Sequence, residues 1–280
     1  MFKIKAAIPS GKVYYINELK NESYFAANKF ILNEDYFGFY QSLDDHIRLT
    51  VPNIDSINLL DKLYLYIILF ATCVKGTIPI PAESIIDFEN PPVIELFSVL
   101  ESLSEINVVP KQYTIDTTLG QATLEIFYPT KLEDINNTVI FDPISAIRTC
   151  SLNGTIYTVE NKEDRELLNA LIPVDSYYQL IQFIIDNFNT IIVFYKGRLE
   201  LPILSQYFFK YFANNIFYGG LQYQFDLMYL LQRHLNVSIS DFKNMSPADS
   251  EMLFAKLVKE KEEEKKSMEK ENNQEKEFVF

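Results

Sequence analysis

Apolar side chains along this chain recur mostly at helical spacing, interrupted once in the middle by a stretch rich in β-branched residues. The opening IKAAIPSGKVYYINEL predicts a short extended segment broken at Pro9-Ser10-Gly11, then a helix from near Asn17 carrying Leu19, Tyr24, Phe25, Phe30 and Ile31. A second short helix begins at Asn33, with Tyr36, Phe37, Phe39, Tyr40 and Leu43 as its apolar positions. After Pro52-Asn53, Asp55 or Ser56 is placed to cap a helix running to about Val74 and stopped by Gly76. Leu59, Leu60, Leu63, Ile67, Ile68 and Phe70 lie nearly all round that helix, the pattern of a central element packed on several sides.

Pro79, Pro81, Pro91 and Pro92 make the following stretch a connector, because proline removes a backbone donor and clashes inside a helix. Val93 to Ile106 is again amphipathic through Leu96, Val99, Leu100 and Leu103. From Asn107 to Val159 the chain reads as strands, with Asn153-Gly154 suited to the left-handed conformations of a two-residue hairpin turn. Helical patterning returns over Lys162–Leu171, Val174–Phe188, Leu199–Ala213 and, after Gly219-Gly220, Leu221–Leu235, with a strand at Thr190–Tyr195. The clearest start signal is Ser246-Pro247-Ala248-Asp249, an N-cap serine with proline at the first helical position and a carboxylate at the third. The fold class expected is mainly α with a small antiparallel β element in the middle (α+β). Its expected divisions are a helical region over 1–106, a β-rich insert over 107–160, a helical region over 161–245 and a charged helix or tail over 246–280.

Composition narrows the function. The formal charge is −13 over 280 residues, and from Lys256 onward seven Lys and eight Glu leave only −1, so the body carries the other −12. Phosphate backbones demand concentrated Lys and Arg, so no nucleic-acid partner is expected, and proteins, basic ones included, are. Cys73 and Cys150 are too few for a disulfide framework and, with two His, for a four-ligand zinc site; no metal and no cofactor are expected. Reduced intracellular thiols are the default. No apolar leader follows Met1, and the longest apolar run, Leu63 to Val74, has 12 residues where a bilayer span needs about 20, so no membrane span is expected.

Motifs for chemistry are sparse. His46 and His234 read as ordinary helix-surface histidines, although sequence distance alone does not rule on a Cys–His or Ser–His pair. Ser10-Gly11-Lys12 has the ending of a phosphate-binding loop without its first glycine or its following Ser/Thr. Asp44-Asp45 and the region of Asp186 offer carboxylates, but nothing marks a pair for glycoside hydrolysis, and solvated acidic surface is the simpler reading. Tyr177-Tyr178 and Tyr207-Phe208-Phe209 lack interleaved basic residues, which favours packed core or a protein interface over base or sugar stacking. No catalytic residue is assigned.

The C-terminal segment has two readings, a solvated, partly disordered tail or a helix that pairs with another chain. Met252, Leu253, Leu257 and Val258 can anchor its first turns, and no a/d apolar heptads continue beyond Val258. Phe278, Val279 and Phe280 close a polar segment with apolar side chains, the pattern of a docking peptide. The expected partner-binding residues are Met252, Leu253, Leu257, Phe278, Val279 and Phe280.

Three stretches together resemble the family of T-even-like phage baseplate hub and hub-assembly proteins of contractile-tailed viruses. They are IPSGKVYYINELKNESYFAANKFILNEDYFGFYQSLDDHI, the helix end LFATCVKG with the TIPI that follows, and DFKNMSPADSE leading into a charged helix. About half of the chain, in its middle, lies outside the resemblance, and this chain is longer than typical members. The resemblance implies a non-enzymatic structural subunit or assembly chaperone, with no catalytic residues to carry over. It implies tail or baseplate hub, spike or tape-measure proteins as partners, and the host cytoplasm during assembly or the virion baseplate as location. The alternatives are an intracellular carboxylate-dependent hydrolase and a non-viral helical adaptor.

Overall fold

The computed structural model describes residues 2–80, 93–130, 143–159, 162–188, 191–194, 199–202, 204–217 and 220–277. The chain opens with a hairpin, β1 (Lys3–Ala7) paired antiparallel to β2 (Val13–Asn17) in the register Lys3 to Asn17. The alternation in KIKAA buries Ile4 and Ala6 and exposes Lys3, Lys5 and Ala7, which is what a strand with one wet face requires. The second strand is not among the expected elements, and it ends at Asn17, where the sequence predicts the first helix to begin. The first helix, α1 (Asn21–Leu32), begins four residues later than expected, and α2 (Tyr36–Arg48) follows across a tight turn. Asp35 caps α2 by accepting from the Gly38 amide at 2.8 Å. A β-carbon at Gly38 would fall 2.5 Å from the Phe30 ring and 2.4 Å from the Asp35 carboxylate, so glycine lets the two helices close on each other.

The apolar helix is α3 (Leu59–Cys73), and thirteen of its fifteen residues are buried. Its cap is Asn58, whose side chain accepts from the Asp61 amide at 3.0 Å, while the expected capping residues Asp55 and Ser56 lie in or beside a separate 3-10 turn, Ile54–Ser56. β3 (Thr77–Pro79) and β4 (Val93–Glu95) form a short antiparallel pair, and α4 (Leu96–Ser104) buries Leu96, Val99, Leu100 and Leu103. The expected connector at Pro81, Pro91 and Pro92 lies outside the described residues.

The middle of the chain is a four-stranded antiparallel meander in the order β5-β6-β7-β8: β5 (Lys111–Thr117), β6 (Gly120–Ile126), β7 (Ile147–Leu152) and β8 (Thr155–Thr158). The last hairpin turns on Asn153 (φ 51°) and Gly154 (φ 80°), left-handed values that favour this dipeptide. One face of the meander packs on α6 (Val174–Phe188), which follows α5 (Lys162–Leu171); Tyr113 stacks on Phe183 at 4.5 Å, and Tyr128 meets Phe188 edge-on at 5.0 Å.

β9 (Ile191–Phe194) pairs with β10 (Leu199–Pro202), so the helix expected from Leu199 begins only at α7 (Gln206–Asn215). α7 returns to the N-terminal half. Phe212 meets Phe70 edge-on at 5.7 Å, and the Tyr40 hydroxyl donates to the Phe209 carbonyl at 2.8 Å. One hydrophobic cluster thus runs from Ile4 to Phe217 and includes Ile115, Leu124 and Ile126 of the meander. A second, small cluster of Leu227, Leu231 and Phe242 joins α8 (Leu221–Leu235), α9 (Ile239–Asn244) and the start of α10 (Pro247–Glu277). Among the described residues the protein is therefore α+β, predominantly helical, with small antiparallel sheets placed along the chain rather than confined to its middle.

Candidate partner-binding helix and its anchor

α10 starts as its sequence dictates. The Ser246 hydroxyl accepts from the Asp249 amide at 3.2 Å and donates to the Asp249 carboxylate at 2.8 Å, which satisfies an otherwise unpaired first-turn amide. The helix is 31 residues long, about 46 Å at 1.5 Å per residue. Leu253 and Phe254 pack against the small C-terminal cluster, and Leu257 is buried. From Val258 to Glu269 every side chain is exposed. Among the described residues, the stretch Val258–Glu269 therefore buries no side chain against the body.

Of the residues expected to bind a partner, Leu253 and Leu257 face inward and anchor the helix, while Met252 is 53% exposed beside them. Phe278, Val279 and Phe280 lie outside the described residues. Exposed Val258 and Met268 add the remaining apolar positions of the outer helix. Pairs such as Lys261–Glu264 at 2.7 Å and Lys259–Glu263 at 4.0 Å run along its surface, and each contributes well under about 1 kcal/mol.

The anchor is a set of polar contacts that sequence reading did not find. The Asn21 side chain donates to the Phe242 carbonyl at 2.8 Å and the Ser250 hydroxyl at 2.6 Å, and the Asn21 amide donates to the Met245 carbonyl at 2.9 Å. Asn21 is 2% exposed, so these bonds replace water that the side chain cannot reach. Nearby, the Leu19 amide donates to the Cys73 sulfur at 3.2 Å. The structure buries Asn21 and Asn28 on α1 alongside Tyr24 and Ala27, whereas the sequence marks only Tyr24 of these four as an apolar position. Tyr223 donates to the Glu251 carboxylate at 2.9 Å, and burial raises the Glu251 pKa.

Comparison with protein-family models, with curated proteins and with solved structures finds no match.

The groups weighed for catalysis are spread through the molecule. His46 is half-buried with its Nε2 3.1 Å from the Asn17 carbonyl, joining α2 to the end of β2, and burial lowers its pKa. His234 is exposed on α8. Burial pushes the Cys73 thiol up to about 11 and also raises Cys150, which keeps both in the unreactive thiol form at neutral pH. Among the described residues no group of three or more His, Cys, Asp or Glu is placed to hold a metal ion, and no helix is long and apolar enough to cross a membrane.

Asp44 has a structural partner set. Its carboxylate accepts from Lys62 at 2.9 Å and from the Tyr66 hydroxyl at 2.5 Å, with the Lys62 side chain 4% exposed. Burial, first, and the neighbouring Asp44 charge raise the Tyr66 pKa well above its ordinary value. Asp45 and Asp55 both bind Arg48, and Asp186 accepts from Gln182 at 2.8 Å. Asp44 and Asp55 line one hollow of about 280 Å³, each held by a cation. Of the aromatic clusters, Phe208 and Phe209 are core, Tyr207 stacks on Tyr211 at 6.0 Å, and Tyr178 is exposed.

Proposed function

We propose that this chain is a non-enzymatic structural or assembly-chaperone protein of a contractile phage tail, working at the baseplate hub by binding other proteins. The observation that carries the reading is the outer part of α10, exposed at every position from Val258 to Glu269 and capped at its root by Ser246. Most helical stability in proteins comes from packing an apolar face, and the exposed surface ion pairs of this stretch add little. A partner that covers it would supply the missing contacts.

A second support comes from the three stretches that carry the resemblance. They are distant in sequence yet adjoin in space: Asn21 of the first bonds Phe242, Met245 and Ser250 of the third, and Leu19 of the first bonds Cys73 of the second. The part of the chain that looks like the hub family is thus the scaffold from which α10 departs. The unmatched middle contributes the meander and its helices.

The test is affinity capture from phage-infected cells with the full chain, with bound proteins identified by mass spectrometry. Tail hub, spike or tape-measure components should be enriched. Enrichment of host metabolic or regulatory proteins with no tail component would refute the tail assignment.

A further inference from the structure

We infer that the hollow between the β1–β2 turn, the 54–56 turn and the meander binds a small oxyanion, a carboxylate or phosphate group, held between Lys12 and Arg148. The hollow measures about 180 Å³ and is lined by residues from all three elements, including Ser10, Lys12, Asn53, Ser56, Asn58 and Arg148. That space takes a tetrahedral oxyanion with part of its water.

The charges favour an anion. Lys12 and Arg148 both line the cavity, and neither has an ion-pair partner among the described residues, in a chain with a formal charge of −13. The Arg148 guanidinium lies over the Phe127 ring, 3.7 Å from its centroid. Stacking of this kind holds the planar fork in one orientation and leaves its edge donors free for a carboxylate or phosphate. Burial against the neighbouring rings lowers the Arg148 pKa, with an opposing pull from Glu125, while the residue as a whole stays open to solvent and so to a ligand.

One carboxylate, Asp61, also borders the hollow, and its role is already taken. One of its oxygens accepts from the Ser10 amide at 3.0 Å and the other from the Asn58 side chain at 2.6 Å, with the residue 2% exposed. Asp61 therefore fixes the hairpin turn to the start of α3. The Lys12 charge also acts on Asp61, so Asp61 offsets part of the positive charge, and the cavity retains two positive groups against one negative. The turn itself is closed by the Gly11 amide to the Ile8 carbonyl and the Ile8 amide to the Lys12 carbonyl, each 2.9 Å, with Gly11 at φ +86°. This is how Ser10-Gly11-Lys12 presents its lysine: a strand follows, so the site is not a nucleotide-binding loop.

The test is calorimetric titration of the full chain with inorganic phosphate and, separately, with succinate, at constant ionic strength made up with chloride. One saturable site is expected with at least one probe. Preference for phosphate identifies a phosphoryl ligand, and preference for succinate identifies a carboxylate such as an acidic side chain. Lys12→Gln and Arg148→Gln should each weaken binding at least tenfold. Both residues are exposed, so circular dichroism should show the fold unchanged. No saturable binding of either probe, or affinity that survives both substitutions, overturns the assignment.

Discussion

The side-chain amide of Asn21 donates to the hydroxyl of Ser250 at 2.6 Å, joining the first helix to the last across 229 positions of sequence. The same amide also reaches the Phe242 carbonyl, so one buried residue holds α9 and α10 to α1. Asn21→Ala leaves the Phe242 carbonyl and the Ser250 hydroxyl each short of a donor in a buried seam. The expected cost is about 2 kcal/mol of unfolding free energy. Denaturant titration checks it, and hydrogen exchange should speed up in residues 239–250 before it does in α3.

Gln224 presents the opposite case. It is 3% exposed, both ends of its side-chain amide lack a partner among the described residues, and the adjoining space is only about 10 Å³, at the lower limit for one water. Replacing a buried, unpaired amide with an apolar side chain of similar size removes its desolvation cost. Gln224→Met should therefore raise stability by about 1 kcal/mol in a denaturant titration. A loss of stability would mean that the small cavity holds a water bonded to the amide.

Much of this organisation was legible where local chemistry and the final fold agree. The all-round apolar face of α3, the Asn153-Gly154 turn and the Ser246-Pro247 helix start each follow from one or two residues whose preferences the fold uses unchanged. The β1–β2 hairpin was missed because five residues containing Pro9 and Gly11 separate its strands, and alternation over only five positions on each side is a weak signal. β10 was read as helix because Leu199 and Leu201 suit either period over so short a span. The anchor at Asn21 and the pocket between Lys12 and Arg148 depend on residues distant in the chain. No local pattern encodes such meetings.

The half-buried pair of Lys62 and Asp44 leads to a third prediction. Lys62→Met leaves the Asp44 carboxylate, among the described residues, with the Tyr66 hydroxyl as its hydrogen-bond partner, at a cost of about 2–3 kcal/mol, less than for a fully buried ion pair because Asp44 still reaches solvent. Adding Asp44→Asn removes the stranded charge while keeping an acceptor for Tyr66. Most of the lost stability should return in the double variant, measured as a double-mutant cycle. Additive losses would show that the two side chains act independently.

His46 sets a pH dependence. Its folded-state pKa lies below the ordinary 6.5, with burial the main cause and the bond to Asn17 opposing it. Protonation therefore favours the unfolded chain: the His46 contribution is intact above about 6.5 and is lost as pH falls from there through the folded-state value. Stability should decline on acidification through this window, and His46→Gln should flatten that part of the profile. An unchanged profile in the variant would assign the decline to other groups.

We propose that outer α10 serves a partner and not the fold. The most direct measurement compares the full chain with a chain ending at Val258, recording thermal midpoint and recovery of captured tail proteins side by side. The predicted result is an unchanged midpoint with partner recovery lost. Equal recovery by the two chains would contradict the claim, because the exposed helix would then be dispensable for binding.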